Sequence, residues 1–274
     1  MGILFKAKTQ MGYTIKILAE LLQNNIKTAC FEVDHSGIEL CMMDNHRRIL
    51  INVNLLSENF NIYRFRAPKK LFLGINLSHL HKMLKNIKKK DSVSLFITED
   101  NPTELAIEVT PRDRNRVTTS HVKIQARQNL EIEIPTGYGK PIIVPSGEYQ
   151  KMCKDLNNIA NIITVSSKKY LIKFSCNQGG VYSREVLFGE KEEEDEEDDN
   201  EVDSSIEYIE KFDTEHLIRI IKIAGLSTNM QIYPKTNLPL LFRSNVGNLG
   251  KISIYIKCRK QLEEEEISKL EYEN

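Results

Sequence analysis

The segment Thr14-Ile15-Lys16-Ile17-Leu18-Ala19-Glu20-Leu21-Leu22-Gln23-Asn24-Asn25 decides the fold. Ile15, Leu18 and Leu22 recur at helical spacing, Ile17 and Leu21 widen that stripe, and Lys16 and Gln23 lie opposite it. The same arrangement returns from Leu77 to Ile87, with Asn76 placed to cap. There Leu77, Leu80, Leu84 and Ile87 point inward, and His81, Lys82 and Lys85 point outward. It returns again after Pro145-Ser146, where Ser146 is placed to cap. Tyr149, Met152, Cys153, Leu156 and Ile159 stand opposite Lys151, Lys154 and Asn158. A fourth copy starts at Asp213 or Thr214, with Leu217, Ile220, Ile221 and Ala224 buried and Arg219 and Lys222 exposed. Four basic helix faces, two in each half, suit a phosphate backbone followed without reading bases.

Between the helices the apolar period shortens toward two. Lys27–Val33, Ile38–Met42, Ile49–Leu55, Val93–Ile97, Leu105–Val109, Ile162–Ser166 and Ile252–Lys257 read as strands. His35-Ser36-Gly37, Asp100-Asn101-Pro102, Pro111-Arg112-Asp113 and Gln178-Gly179-Gly180 mark turns. Such short spacings favour antiparallel pairing over parallel crossovers. The expected class is therefore α+β, with helices on one face of antiparallel sheets in each of two similar domains. Pro135, Gly137, Gly139 and Pro141 set residues 130–141 apart as a connector between domains at 1–129 and 142–260, with an acidic tail at 261–274.

The net charge of zero hides an uneven distribution. Residues 190–201 hold ten acids and one lysine, and Glu263 to Glu266 add four acids. Without both segments the chain carries 37 basic against 24 acidic residues, a balance of +13. A like-charged run stays solvated, so 190–203 reads as a surface loop or as an electrostatic fence that keeps nucleic acid off one face. Five scattered cysteines without a CxxC read as reduced thiols rather than disulfide or zinc ligands. No apolar run approaches the ~20 residues of a membrane span, and the N-terminus has no signal-peptide core.

An enzyme is not expected. GxxxxGK[ST], GxGxxG and GxSxG are absent. His79 and His81 point different ways on a helix, and the carboxylates sit in one run instead of converging from separate strands as a two-metal site needs.

Several segments in order resemble the proliferating cell nuclear antigen family of DNA sliding clamps. They are Ala29-Cys30 through Ser36-Gly37-Ile38-Glu39-Leu40-Cys41-Met42-Met43-Asp44, then Phe60-Asn61-Ile62-Tyr63-Arg64 and Gly74-Ile75-Asn76-Leu77. In the second half come Pro145-Ser146-Gly147-Glu148-Tyr149, Cys153-Lys154-Asp155-Leu156 and Leu238-Pro239-Leu240, and then an acidic tail. The resemblance implies a homotrimeric ring with twelve helices lining a channel for double-stranded DNA. Its role would be that of a polymerase processivity factor in DNA replication and repair, without cofactor or metal. It also implies residence in the nucleus, with a cytoplasmic viral replication site as the alternative. Abundant Lys, Asn and Ile point to a divergent lineage such as a large DNA virus. A checkpoint-type subunit of a mixed ring and a monomeric clamp-like processivity subunit are the alternative readings.

By matching positions, the resemblance places DNA-binding residues at Lys16, Lys82, Lys85, Arg116, Lys123, Lys151, Lys154 and Lys222; their bland reading is a solvated helix face. Gln23, Asn158 and Glu215 stand where the family has a basic or protonatable residue, and Lys88, Lys89 and Lys90 partly compensate. DNA polymerase, the clamp loader and other partners would carry a peptide with a glutamine, an aliphatic residue and paired aromatics. That peptide would enter a pocket at Met43, Ile132, Ile134, Pro239 and Ile256. Ile132 and Ile134 alternate with Glu131 and Glu133, as linker residues that lie against something do. Arg47, Arg48 and Lys257-Cys258-Arg259-Lys260 depart from the family and imply a different partner preference. Subunit joining would use edge strands at Val117–Arg127 and Val181–Phe188, through Val122, Ile124, Ala126, Arg184 and Val186.

Overall fold

One module, a strand followed by a helix and three more strands, occurs four times. The structure is a computed structural model and describes residues 2–113, 115–126, 131–189 and 208–272. The first module comprises β1 (Ile3–Thr9), α1 (Gly12–Gln23), β2 (Thr28–Val33), β3 (Gly37–Met43) and β4 (Ile49–Leu56), with an additional strand, β5 (Ile62–Phe65), after it. The second comprises β6 (Leu71–Asn76), α2 (Leu77–Leu84), β7 (Ser92–Thr98), β8 (Asn101–Thr110) and β9 (Thr118–Lys123). In the third are β10 (Ile142–Pro145), α3 (Ser146–Ile159), β11 (Ile162–Lys168), β12 (Leu171–Gln178) and β13 (Tyr182–Gly189). The fourth has β14 (Tyr208–Asp213), α4 (Thr214–Arg219), β15 (Asn229–Tyr233), β16 (Leu240–Val246) and β17 (Gly250–Ile256), and α5 (Arg259–Tyr272) follows it.

Two compact units result, the first holding Met1–Glu133, Gly225–Ser227 and Ser244–Ser253, and the second Ile134–Ala224, Thr228–Arg243 and Ile254–Asn274. In the first unit an antiparallel sheet runs β5-β1-β7-β8-β9, and a second set of strands runs β4-β3-β2-β6. Helices α1 and α2 pack side by side over these strands. Ile15, Leu18 and Leu22 of α1 and Leu80 of α2 meet Phe5, Val33 and Leu105 of the sheets around an apolar cavity of about 60 Å³. Removing each such side chain from water contributes roughly 1.5–3 kcal/mol, so the stripe read in the sequence is what seats the helices. In the second unit β13-β12-β11-β14 form one antiparallel sheet, β10 pairs with β15 and β15 with β16, and α3 lies beside α4. The α+β class, with helices packed on antiparallel sheets, is as expected.

Local chemistry explains where the helices begin. Asn76 caps α2, its Oδ1 accepting from the His79 N–H at 3.1 Å. Ser146 does not cap α3. Pro145 holds the capping position, and the Ser146 N–H donates to the Thr228 carbonyl at 2.9 Å because β10 is paired with β15 as far as Pro145 and Asn229. Asp213 precedes α4 without a side-chain capping bond, since its carboxylate accepts from Arg259 Nη1 at 2.7 Å.

Helix α4 is also shorter than its apolar pattern suggests. It breaks at Ile220 (φ −102°, ψ 1°) into a 3₁₀ turn over Ile221–Gly225, which buries Ile223 and leaves Ile221 and Ala224 half-buried. Clustered β-branched residues ahead of Gly225 weaken a continued α-helix there.

Helix α5 was not legible from the four-glutamate run. Its first turn is closed by Gln261, whose Oε1 accepts from the Cys258 N–H at 3.0 Å, half of a capping box. Lys257 to Glu265 and Arg259 to Asp213 then tie the glutamate-rich helix down. The acidic segment 190–203 lies outside the described residues.

Candidate nucleic-acid and partner surfaces

Opposite the buried stripes, the helices carry the expected lysines in different local states. Lys82 and Lys85 are exposed, and neither has an ion pair or hydrogen bond among the described residues. Lys16 is half-buried: its Nζ lies 3.4 Å from the Ile87 carbonyl oxygen and 5.4 Å over the Tyr13 ring. That contact links the charged side of α1 to the residue just past α2. Arg116 is exposed in the β8–β9 loop, and Lys123 is exposed at the end of β9.

In the second unit Lys154 is exposed, with no charge partner among the described residues. Lys151 is held by Glu148, Nζ to Oε1 2.7 Å, and that hydrogen-bonded carboxylate raises the ammonium pKa above its ordinary value. Lys222 stands half-buried on the 3₁₀ turn after α4.

Two of the non-basic substitutions have structural uses. Gln23 Nε2 donates to Ser78 Oγ at 3.3 Å, tying α1 to α2. Glu215 is paired with Arg219 one turn along α4, which neutralises both.

The proposed peptide-pocket residues belong to both units. Met43 at the end of β3 and Ile132 are half-buried in the first. Ile134 and Pro239 are half-buried, and Ile256 is buried, in the second. Sequence reasoning missed the residue that anchors this stretch. Tyr138 donates its hydroxyl to the Pro239 carbonyl at 2.8 Å, and its ring lies 6.2 Å from that of Tyr233 and 6.1 Å from that of Tyr255. Burial pushes the Tyr138 phenol well above its ordinary pKa, so it remains a donor at any physiological pH. The only sequence signal was an aromatic among Gly137, Gly139 and Pro141.

Both candidate joining strands are sheet edges: β9 borders the five-stranded sheet and β13 the four-stranded one. Val122 is 4% exposed and belongs to its own unit's core. Ile124 is half-buried and donates its N–H to the Thr103 carbonyl at 2.8 Å, while Ala126 is exposed. Gln125 bridges to Gly74, where an added Cβ would meet the Gln125 oxygen at 2.3 Å. On β13, Arg184 lies 3.7 Å from Asp155, and Val186 pairs with Phe174 and is half-buried. The outward apolar surface at this edge comes from Tyr182 and Leu187 (each 49% exposed), which the sequence did not single out, and from Val181 (83%) in the turn before β13. Arg127 lies outside the described residues.

No group of three or more metal-binding side chains occurs among the described residues, and no described helix is long and apolar enough to cross a membrane.

Residues 4–132 match the family model for the proliferating cell nuclear antigen N-terminal domain, and residues 134–266 match that for its C-terminal domain. The chain is 23% identical over 259 residues to the "Probable DNA polymerase sliding clamp 1" of Paramecium bursaria Chlorella virus 1, covering 93% of this chain and 97% of that protein. It is 26% identical over 258 residues to the "Proliferating cell nuclear antigen" of Chaetomium thermophilum, covering 92% and 97%.

Proposed function

Because the chain belongs to the proliferating cell nuclear antigen family of DNA sliding clamps, we propose that it closes as a homotrimer around double-stranded DNA and keeps a polymerase on its template. The observation that carries this reading is the fourfold module, with Lys82, Lys85 and Lys154 exposed and without a charge partner among the described residues on the outer sides of α2 and α3. Lys82, Lys85 and Lys154 are mobile-stemmed point charges that attract phosphates without fixing a register. Lys16, Arg116, Lys123, Lys151 and Lys222 extend the basic surface. Contacts of this kind hold DNA weakly at any one position, so a ring can move along it while remaining linked.

Joining runs from β9 of one subunit to β13 of the next, since pairing removes two exposed strand edges at once. Val181 and Leu187 add apolar area to that junction, beside Ile124, Ala126, Arg184 and Val186. Partners enter as a peptide whose aromatics are received by Met43, Ile132, Ile134, Pro239 and Ile256, with Tyr138 fixing the connector. Domains at 1–129 and 142–260 joined by 130–141 fit this plan. The clamp works without chemistry of its own, at a site of DNA replication in the nucleus or in a viral replication compartment.

Light scattering on the purified chain is the test of assembly. A mass three times that of the 31.6 kDa chain is expected. A single-chain mass at micromolar concentration favours the monomeric processivity reading, and trimer formation only with other chains favours the mixed ring.

A further inference from the structure

We propose a second phosphate-binding site in the first unit, separate from the helix faces: a basic cleft built by Lys8, Lys88, Lys89, Lys90 and Arg112 that takes the backbone of duplex DNA. Three distant pieces of chain build it. Lys8 comes from β1, the three lysines from the loop between α2 and β7, and Arg112 from the turn after β8. Lys8, Lys90 and Arg112 line one open cavity of about 790 Å³, and Lys88, Lys89, Lys90 and Arg112 line its neighbour of about 600 Å³. Lys90, Pro111 and Arg112 are common to both, so the two form one basic surface.

The charge on this surface is unspent. No charged side-chain group of these five residues has an ion pair or hydrogen bond among the described residues, in contrast to Lys70, Lys151, Lys173 and Lys257 elsewhere. Of the two nearby carboxylates Asp91 is buried and turned to backbone, whereas Asp113 is exposed at the rim, so five cations face one exposed acid. Asp91 is 8% exposed and accepts from the Lys88 N–H at 2.9 Å, and Asp113 accepts from the Asn115 N–H at 3.3 Å. Asn61 and Ser92 also line the cleft. The Asn61 carbonyl oxygen is taken by the Gln10 N–H at 2.9 Å, which leaves its NH₂ as a donor. Five cations and the Asn61 donor against a single exposed carboxylate leave a net positive surface that fits phosphodiester oxygens.

The surface also continues from the helix faces. Lys16 reaches the carbonyl of Ile87, next to Lys88, and the Gly12 N–H at the start of α1 donates to the Asp91 carbonyl at 3.2 Å. Phosphates leaving α1 and α2 therefore meet Lys88 to Lys90 next. An acidic peptide could use the same charges, but this continuity favours the duplex.

This inference rests on the clamp reading, and the test separates the two. The full chain is compared with a cleft variant (Lys88→Ala, Lys89→Ala, Lys90→Ala, Arg112→Ala) and a helix-face variant (Lys82→Ala, Lys85→Ala, Lys154→Ala). Affinity for two unrelated duplexes is measured by fluorescence anisotropy across a salt series, with thermal melting and solution mass checking that each variant folds and assembles alike. The cleft variant should bind both duplexes more weakly by the same factor, and its plot of log affinity against log salt should be shallower by about 2–3 units, at ~0.9 per lost contact. An unchanged slope in the cleft variant together with a shallower one in the helix-face variant overturns the cleft and leaves the clamp reading standing. Unchanged slopes in both overturn both. Loss of polyglutamate binding by the cleft variant with DNA binding intact assigns the cleft to an acidic peptide and overturns the proposal.

Discussion

Replacing Glu148 by Gln should strengthen DNA binding. In the first turn of α3, Glu148 Oε1 lies 2.7 Å from Lys151 Nζ, with both side chains largely exposed. A phosphate approaching this face meets a pair whose net charge is near zero, whereas the neighbouring Lys154 offers a full positive charge. The substitution removes the carboxylate and retains its shape, so Lys151 becomes a full cation toward solvent. One additional phosphate contact steepens the salt dependence by ~0.9 in log affinity per log salt, a gain of about eightfold at 0.1 M relative to 1 M salt.

A smaller effect runs the other way. An acid in the first turn of a helix favours the macrodipole, and losing it costs a few tenths of a kcal/mol at an exposed position. Melting should therefore fall slightly while affinity rises, a pairing that general stabilisation cannot produce. Anisotropy titrations of wild type, Glu148→Gln, Lys151→Ala and the double variant settle the matter. The gain should vanish in the double variant. Equal or weaker binding by Glu148→Gln at low salt, with the assembly intact, would show that α3 does not face DNA.

Three further outcomes follow from the same geometry. Leu187→Asp should reduce the solution mass to that of one chain without lowering the melting temperature of the isolated subunit, because Leu187 is 49% exposed on the free edge of β13; a wild-type mass would remove β13 from the junction. Ile134→Ala should weaken an aromatic-bearing partner peptide by about 1–3 kcal/mol in calorimetry, and unchanged affinity would move the peptide site elsewhere. Thiol titration of the folded protein at pH 8 should modify Cys41 first, since it is the half-buried one among five; burial raises its thiol as well, but pushes Cys153 up to about 12 and Cys258 up to about 11, and rapid modification of all five would contradict the packing.

Much of the fold is legible in the sequence because one physical signal dominates it. Ile15, Leu18 and Leu22 against Lys16, and Leu77, Leu80 and Leu84 against Lys82, combine burial and charge at a single period. What escaped reading depends on contacts between distant residues. Asp213 resembles a helix cap until Arg259, 46 residues away, takes its carboxylate. The run Glu263 to Glu266 reads as a solvated tail, yet Gln261 and Lys257 supply the cap and counter-charge that hold it in α5. Val122 alternates as an edge residue should, but its side chain fills its own core. Tyr138 gives almost no local signal, and its importance comes from Pro239, Tyr233 and Tyr255. The basic cleft was half visible in Lys88-Lys89-Lys90; the approach of Lys8 and Arg112 is a product of sheet topology.

Retention on circular DNA tests the central claim most directly. The chain is loaded by its matching loader onto a nicked circular duplex, the salt is raised until phosphate contacts are screened, and DNA-bound protein is counted before and after a single cut linearises the circle. A ring that encircles the duplex should stay on the intact circle at high salt and leave within minutes through the free ends. Loss from the uncut circle at high salt, or equal retention after linearisation, would mean that the basic surfaces hold DNA by charge alone and that the chain does not act as a closed clamp.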